Sequence, residues 1–179
     1  LYVSVLVHEL AHVFIARRFG MRVQSVTLHL LGGETLIDGE SRTPWQELTI
    51  SIAGPLTSLA IGLAALSISG SMAGTVSDVL WSVGYVNVLV AIFNMLPGLP
   101  LDGGRVFRAI IWQVTGREET GVRIAAWIGR ATAVGVVGFA LLGGSRGSQI
   151  GINLAIALLV GWFLWQGASD ALHHAGRTT

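Results

Sequence analysis

The pentapeptide His8-Glu9-Leu10-Ala11-His12 lies inside an unusually apolar run, with LYVSVLV before it and VFIA after it. Residues at positions i and i+4 of a helix share a face, so the two imidazoles can bind one Zn²⁺. Glu9 then lies beside the metal, where it can accept a proton from a water molecule. The alternative is a helix that carries these residues without any catalytic role. Polar groups are costly in so apolar a setting unless they are paired or bind a metal, which favours the metal site.

The composition indicates a membrane protein. Of the 179 residues, 52% are hydrophobic and only 12% are charged, whereas soluble domains have about 25% charged residues. The net charge of +1 gives no indication of a nucleic-acid partner, and we expect none. Because the chain has no Cys, any metal must be bound by His, Asp or Glu.

Five apolar segments run along the chain, each near the ~20 residues that cross a ~30 Å hydrocarbon layer as a helix. They cover residues 1–19, 45–68, 79–96, 122–142 and 150–168. The predicted fold class is therefore an all-α polytopic membrane protein, a bundle of transmembrane helices that bury small residues such as Gly54 and Gly62. A soluble zinc protease is excluded by the same segments. Arg130 falls inside the fourth segment, so we expect it to extend to the interface or to face the bundle interior.

The distribution of arginine predicts the orientation in the membrane. Most of the cationic residues lie in or at the edges of two connections, the one between segments one and two and the one between segments three and four (Arg17, Arg18, Arg22, Arg42, Arg105, Arg108, Arg117, Arg123). Only Arg146 lies in the connection between segments four and five. By the positive-inside rule the Arg-rich side is cytoplasmic. The pentapeptide is then near the cytoplasmic face of the membrane.

Residues 21–38, MRVQSVTLHLLGGETLID, have a different pattern. Apolar and polar residues alternate, β-branched residues are frequent, and Gly32-Gly33 interrupts the run, which predicts a short β-hairpin or sheet at the cytoplasmic surface. His29 is a possible third metal ligand, although a single His on a strand is more often a surface or hydrogen-bonded residue.

A second polar cluster, Asn94-Met-Leu-Pro-Gly-Leu-Pro-Leu-Asp102-Gly-Gly, follows the third segment. Its Pro and Gly residues break the helix at membrane depth, which is tolerated where the backbone lines a cavity or is buried in protein. A zinc site with two His still needs a third ligand, and Asp102 is the best candidate. Asn94 could donate a hydrogen bond to a developing oxyanion. The alternative for both residues is a capped helix end followed by a turn.

Together these motifs resemble those of the site-2 protease family, the intramembrane zinc metalloproteases. The family pattern is HExxH on one transmembrane helix and NxxPxxPxDGG at the end of a later one, and both are present without substitution. Gly54-Pro-Leu-Thr-Ser58 fits the GxxxS element of the helix between them. The resemblance covers essentially all of residues 1–179, which would form the protease core. It implies a six-helix core whose first helix is missing here, and it is closest to the bacterial branch with C-terminal cytoplasmic CBS domains, which this chain lacks.

The resemblance also implies the chemistry. His8, His12 and Asp102 would bind one Zn²⁺ per chain, with Glu9 as general base and Asn94 at the oxyanion. The substrate would be a transmembrane segment in the lipid bilayer, for example of an anti-sigma factor, cleaved in regulated intramembrane proteolysis. Such a segment must unwind locally, and an edge strand over residues 23–31 would hold it extended. The candidate substrate-binding residues are Val23, Thr27, Gly32 and Gly33.

Two other classes of function stay open. A catalytically silent relative would bind membrane proteins as an adaptor or chaperone, but the intact Glu9 argues against it. A metal transporter would also carry intramembrane His and Asp residues. That class predicts an internal repeat, which the sequence does not show.

Overall fold

The computed structural model describes residues 2–29, 32–38, 41–142 and 149–175. The chain folds as two compact units, Leu1–Met95 and Leu96–Thr179. The described part of the chain is almost entirely helical, with one antiparallel pair of strands in the first unit.

Unit 1 contains helices α1 (Tyr2–Arg18), α2 (Pro44–Ser69) and α3 (Thr75–Asn94) and strands β1 (Arg22–His29) and β2 (Gly32–Asp38). Helix α2 is capped at its N-terminus by Thr43, whose hydroxyl accepts a hydrogen bond from the Gln46 amide at 3.2 Å. Both α1 and α3 pack against α2. The predicted close approach of helices at small residues is confirmed at Gly62, where an added Cβ would lie 2.8 Å from Val88 Cγ2 on α3.

The two strands pair antiparallel, from Arg22 opposite Asp38 to His29 opposite Gly32, and both contact α1. The interruption at Gly32-Gly33 predicts that these two glycines form the hairpin turn; this is wrong, because both are paired within β2, opposite His29 and Leu28. A Gly-Gly pair is typical of a hairpin turn, but glycine also occurs within strands, so the pair alone does not locate the turn. Positions 30 and 31, which end the predicted edge strand, lie outside the described residues.

Unit 2 contains helices α4 (Asp102–Thr115), α5 (Glu118–Leu142) and α6 (Gln149–Ala175), and α5 packs against both α4 and α6. Helix α4 ends where Gly116 adopts the left-handed conformation at φ 68° and donates to the Trp112 carbonyl at 2.8 Å. From its sequence, this stretch is expected to be an Arg-rich connection between segments three and four. Its 14 residues are too few to cross a bilayer, and only one face is apolar, so a search for continuous apolar runs misses it.

Four of the described helices are long enough and apolar enough to cross a membrane: α2, α3, α5 and residues Gly151–His173 of α6. The protein is therefore a multi-pass membrane protein. The prediction of five spans does not hold for the described residues, because α1 has 17 residues and carries Glu9, Arg17 and Arg18. Apolar flanks made the first segment resemble a full span, whereas its charged residues shorten the apolar stretch.

Arg130 of α5 is partly buried against α6. Its guanidinium carbon lies 5.0 Å from the ring centre of Trp127 and 5.1 Å from that of Trp165. Its Nη2 donates to the Ser169 hydroxyl at 3.0 Å. Two aromatic faces and a hydroxyl stabilise the charge within the apolar helix pair.

Candidate metal centre

Helix α1 carries three buried polar side chains within five residues. His8 and His12 are each 3% exposed, and Glu9 is 8% exposed. The two rings meet edge to face, with centroids 4.9 Å apart and an interplanar angle of 75°. Their ligand atoms lie within 4.8 Å of each other. The helical spacing read from the sequence therefore brings the two imidazoles together.

Helix α2 fixes both rings through their Nδ1 atoms. His8 Nδ1 is hydrogen-bonded to the Ser58 hydroxyl at 3.0 Å. His12 Nδ1 lies 2.7 Å from the Ile50 carbonyl oxygen. Because a carbonyl can only accept, the proton of His12 is on Nδ1, and a neutral ring then has its lone pair on Nε2. A second partner at the far nitrogen is the usual way to orient a metal-binding imidazole.

Gly54 lies between these two partners on the same face of α2, four residues from Ile50 and four from Ser58. A Cβ at this position would lie 2.5 Å from His8 Nε2 and would also overlap His12 Nε2. Both Nε2 atoms therefore approach one point on the α2 backbone, where only glycine leaves space. Two oriented Nε2 donors beside this gap fit a Zn²⁺ ion, for which imidazole is a preferred ligand.

Two residues of this arrangement, Gly54 and Ser58, are not among the site residues predicted from the sequence. The sequence pattern predicts only a packing role for Gly54 and, for Ser58, only its place in the GxxxS element. The signal that could have found them is the spacing of four between Gly54 and Ser58, which predicts a small residue and a hydroxyl on one helix face. No sequence signal identifies Ile50, because its backbone carbonyl makes the hydrogen bond.

The other candidate residues are placed as follows. Asn94 is the last residue of α3 in unit 1, and Asp102 is the first residue of α4 in unit 2; both are partly buried. Val23 and Thr27 lie in β1, and Gly32 and Gly33 lie in β2.

The family model for peptidase family M50 matches residues 1–79 and 68–136. The chain belongs to this family. It is 36% identical over 98% of its length to a protein of Synechocystis named as a zinc metalloprotease. It is 40% identical over 95% of its length to a Mycobacterium tuberculosis protein named as the zinc metalloprotease Rip3. The match covers 46% of the first relative and 44% of the second, so the chain spans less than half the length of these relatives.

Among solved structures, the site-2 protease from Methanocaldococcus jannaschii matches with a TM-score of 0.75 and 32% identity, over 96% of this chain and 74% of that one. The resemblance to site-2 proteases is thereby confirmed. The named relatives are zinc metalloproteases, so the cofactor of the family is Zn²⁺.

Proposed function

We propose that residues 1–179 are the catalytic core of an intramembrane zinc metalloprotease, which hydrolyses peptide bonds in or near transmembrane segments of membrane proteins. The observation that carries this proposal is the pair of buried imidazoles, His8 and His12, whose Nε2 atoms share the gap at Gly54. In a membrane-spanning chain of family M50, two buried imidazoles that face the same point are best explained by the binding of a catalytic metal.

The proposed ligands of the ion are His8, His12 and Asp102. A carboxylate oxygen is an accepted third ligand beside two imidazoles, and Asp102 lies in the full NxxPxxPxDGG pattern. When bound, Zn²⁺ supplies Lewis-acid chemistry that polarises a carbonyl oxygen and a water molecule.

The proton and the developing charge are handled by two other residues. Glu9 follows His8 directly on α1 and is buried with it, so its carboxylate can accept the proton of the attacking water and later return it to the leaving amine. Asn94 can donate its amide hydrogen to the oxyanion of the tetrahedral intermediate. Glu9 is the catalytic base of this proposal, and Asn94 is its electrophilic partner.

The proposed substrate is a transmembrane segment, such as that of an anti-sigma factor, held extended by the hairpin at the membrane surface. β1 and β2 form a two-stranded sheet, so within the described residues each strand has one edge without a strand beside it. An extended peptide could add to the edge of β1, next to Val23 and Thr27, or to the edge of β2, next to Gly32 and Gly33. Thr27→Pro removes a backbone donor and should reduce cleavage more than zinc binding. Thr27→Val keeps the donor and is the control; equal cleavage by both variants would exclude strand addition at this position.

The proposed location is a bacterial inner membrane with the metal near the cytoplasmic side. The support is the excess of Arg in the connections around residues 17–42 and 105–123. A cytoplasmic regulatory domain of the CBS type is a proposed partner of residues 1–179. Reporter fusions at residues 70–78 should report the opposite side from fusions at residue 116, and the same side for both would refute the orientation.

Glu9→Gln tests the function directly. The amide cannot accept a proton, so cleavage of a model transmembrane substrate should fall by about 10²–10⁴-fold. The zinc content of the purified protein should stay at one ion per chain. Glu119→Gln, an exposed carboxylate on α5, is the matched control and should cleave normally.

Two results would contradict the proposal in different ways. Full activity of Glu9→Gln would remove Glu9 as the base. A wild-type protein that holds zinc and binds the substrate but never cleaves it would favour the adaptor class.

A further inference from the structure

The six residues that precede Asp102, residues 96–101, form a loop that we call the ligand loop. Close contacts at glycines pack it against α5 and α6 of unit 2. Gly98 has φ 135°, and a Cβ there would lie 2.5 Å from Gly129 Cα on α5. A Cβ at Gly129 would overlap the Leu99 carbonyl oxygen. A Cβ at Gly167 on α6 would lie 2.5 Å from Pro100 Cγ.

Two buried leucines of the loop pack against the same two helices, α5 and α6. Leu99 packs with Ala125, Ala126 and Ala168, and Leu101 packs in a second cluster with Ala133 and Leu164. Both clusters are formed by residues of the ligand loop, α5 and α6. The loop is therefore part of the core of unit 2 and not a surface connection.

Hydrogen bonds tie the loop backbone to α5 as well. The Leu99 amide donates to the Ala125 carbonyl at 3.2 Å. The Thr132 hydroxyl donates to the Pro97 carbonyl at 3.0 Å. Together with the glycine contacts, these bonds fix the distance between the loop and the axis of α5.

The first turn of α4 is in direct contact with this loop. A Cβ at Gly104 would overlap the backbone of Gly98 and Leu99, so the turn that begins at Asp102 is packed directly on the loop. The Gly104 amide also donates to the Leu101 carbonyl at 3.0 Å. Any displacement of the loop from α5 would thus displace the Asp102 carboxylate too.

We propose that Gly129 and Gly167 are positioning residues for the metal. Because they have no side chain, the ligand loop packs closely on α5 and α6, and this packing places the Asp102 carboxylate where it can bind the metal. This inference rests on the proposed role of Asp102 as a ligand. Bulk at either glycine should weaken metal binding even where the helices remain folded.

The chain supplies matched controls on the same helix. Gly135 and Gly138 also lie in α5, but a Cβ at either would meet nothing within 4 Å. Gly→Ala at all three positions improves helix propensity alike. A difference between Gly129→Ala and Gly135→Ala therefore reports the contact with the ligand loop and not a change in the helix.

The experiment uses the full chain in detergent with Co²⁺ as the probe, since its visible spectrum reports ligand geometry. Gly129→Ala should raise the Kd for Co²⁺ at least about tenfold and change the visible spectrum. Gly135→Ala should do neither. Gly167→Ala, whose nearest contacts are side-chain atoms of Pro100 and not backbone, should give a smaller effect of the same kind. Thermal unfolding of the metal-free proteins serves as the stability readout.

A double-variant comparison separates positioning from general structure. With Asp102→Ala already present, Gly129→Ala should cause no further loss of Co²⁺ affinity, because its effect acts through the missing carboxylate. A further independent loss would overturn the inference. So would absence of cooperative unfolding in both Gly129→Ala and Gly167→Ala, which would assign these glycines to folding.

The same data distinguish this inference from the proposed function. If Asp102→Ala binds Co²⁺ as tightly as the wild type, the proposed ligand set is wrong. If Asp102→Ala binds weakly but Gly129→Ala and Gly167→Ala bind like Gly135→Ala, only the positioning inference fails.

Discussion

The two units hold their candidate metal ligands in different ways. In unit 1 the imidazoles of His8 and His12 lie one turn apart on α1, and each ring is oriented by one hydrogen bond to α2. In unit 2 the residue Asp102 follows a loop without regular hydrogen bonding, and glycine contacts and buried leucines position that loop. A helix fixes the spacing of side chains by its own periodicity, whereas a loop depends on what surrounds it.

The largest effect expected from this comparison is at Gly54, the point where α1 and α2 meet at the imidazoles. Gly54→Ala should lower Zn²⁺ affinity more than about 100-fold, because its Cβ would displace both Nε2 atoms. Loss of a single hydrogen-bond partner of a metal-binding His usually costs about 10–100-fold. Competition with a chelator measures the affinity. Gly70→Ala, at the end of α2 with no atom closer than 3.7 Å, is the control.

An unchanged affinity in Gly54→Ala would break the comparison, since it would mean that the α1 rings can move without loss. Secondary structure should be unaffected in either case, because Ala is a better helix former than Gly.

The candidate ligands of unit 1 are easier to predict from the sequence than the positioning of Asp102 in unit 2, because a helix and a loop fix side chains differently. His8, Glu9 and His12 are predictable because three residue types at fixed spacing on a helix determine one face. The role of Gly129 in positioning the ligand loop is not predictable from the sequence, because Gly129 is one of several glycines on α5. Only the fold distinguishes it from Gly135.

The membrane spans show a similar division. The four long apolar helices are predictable from apolar runs of about the right length. The amphipathic helix α4 is not, because polar and charged residues are interspersed among its apolar ones and no continuous apolar run marks its ends. The partner of Arg130 also could not be predicted, since Trp165 and Ser169 lie far away in the sequence.

A smaller effect is expected at Ser58, which sharpens the comparison within unit 1. Ser58→Ala should lower Zn²⁺ affinity by about 10–100-fold, because His8 loses the partner that orients its ring. Ser67→Ala is the matched control on α2, since its hydroxyl donates only to the Leu63 carbonyl of the same helix. No equivalent variant exists for His12, whose partner is the backbone of Ile50.

Equal affinity in Ser58→Ala and Ser67→Ala would show that α2 orients His8 by packing alone. The two rings would then be held differently, His12 by a hydrogen bond and His8 by the shape of its surroundings.

The smallest effect is expected at Thr132, whose hydroxyl joins α5 to the ligand loop. Thr132→Val keeps the shape and removes one hydrogen bond, which contributes about 1 kcal/mol net. If all of that energy serves to place Asp102, Zn²⁺ affinity should fall by about fivefold. Thr49→Val on α2, whose hydroxyl donates only to the Trp45 carbonyl, is the control. A loss as large as that of Ser58→Ala would mean that one bond, and not the glycine contacts, holds the loop. No loss at all would leave glycine and leucine packing as the whole of the positioning in unit 2, and the contrast with the hydrogen-bonded imidazoles of unit 1 would be complete.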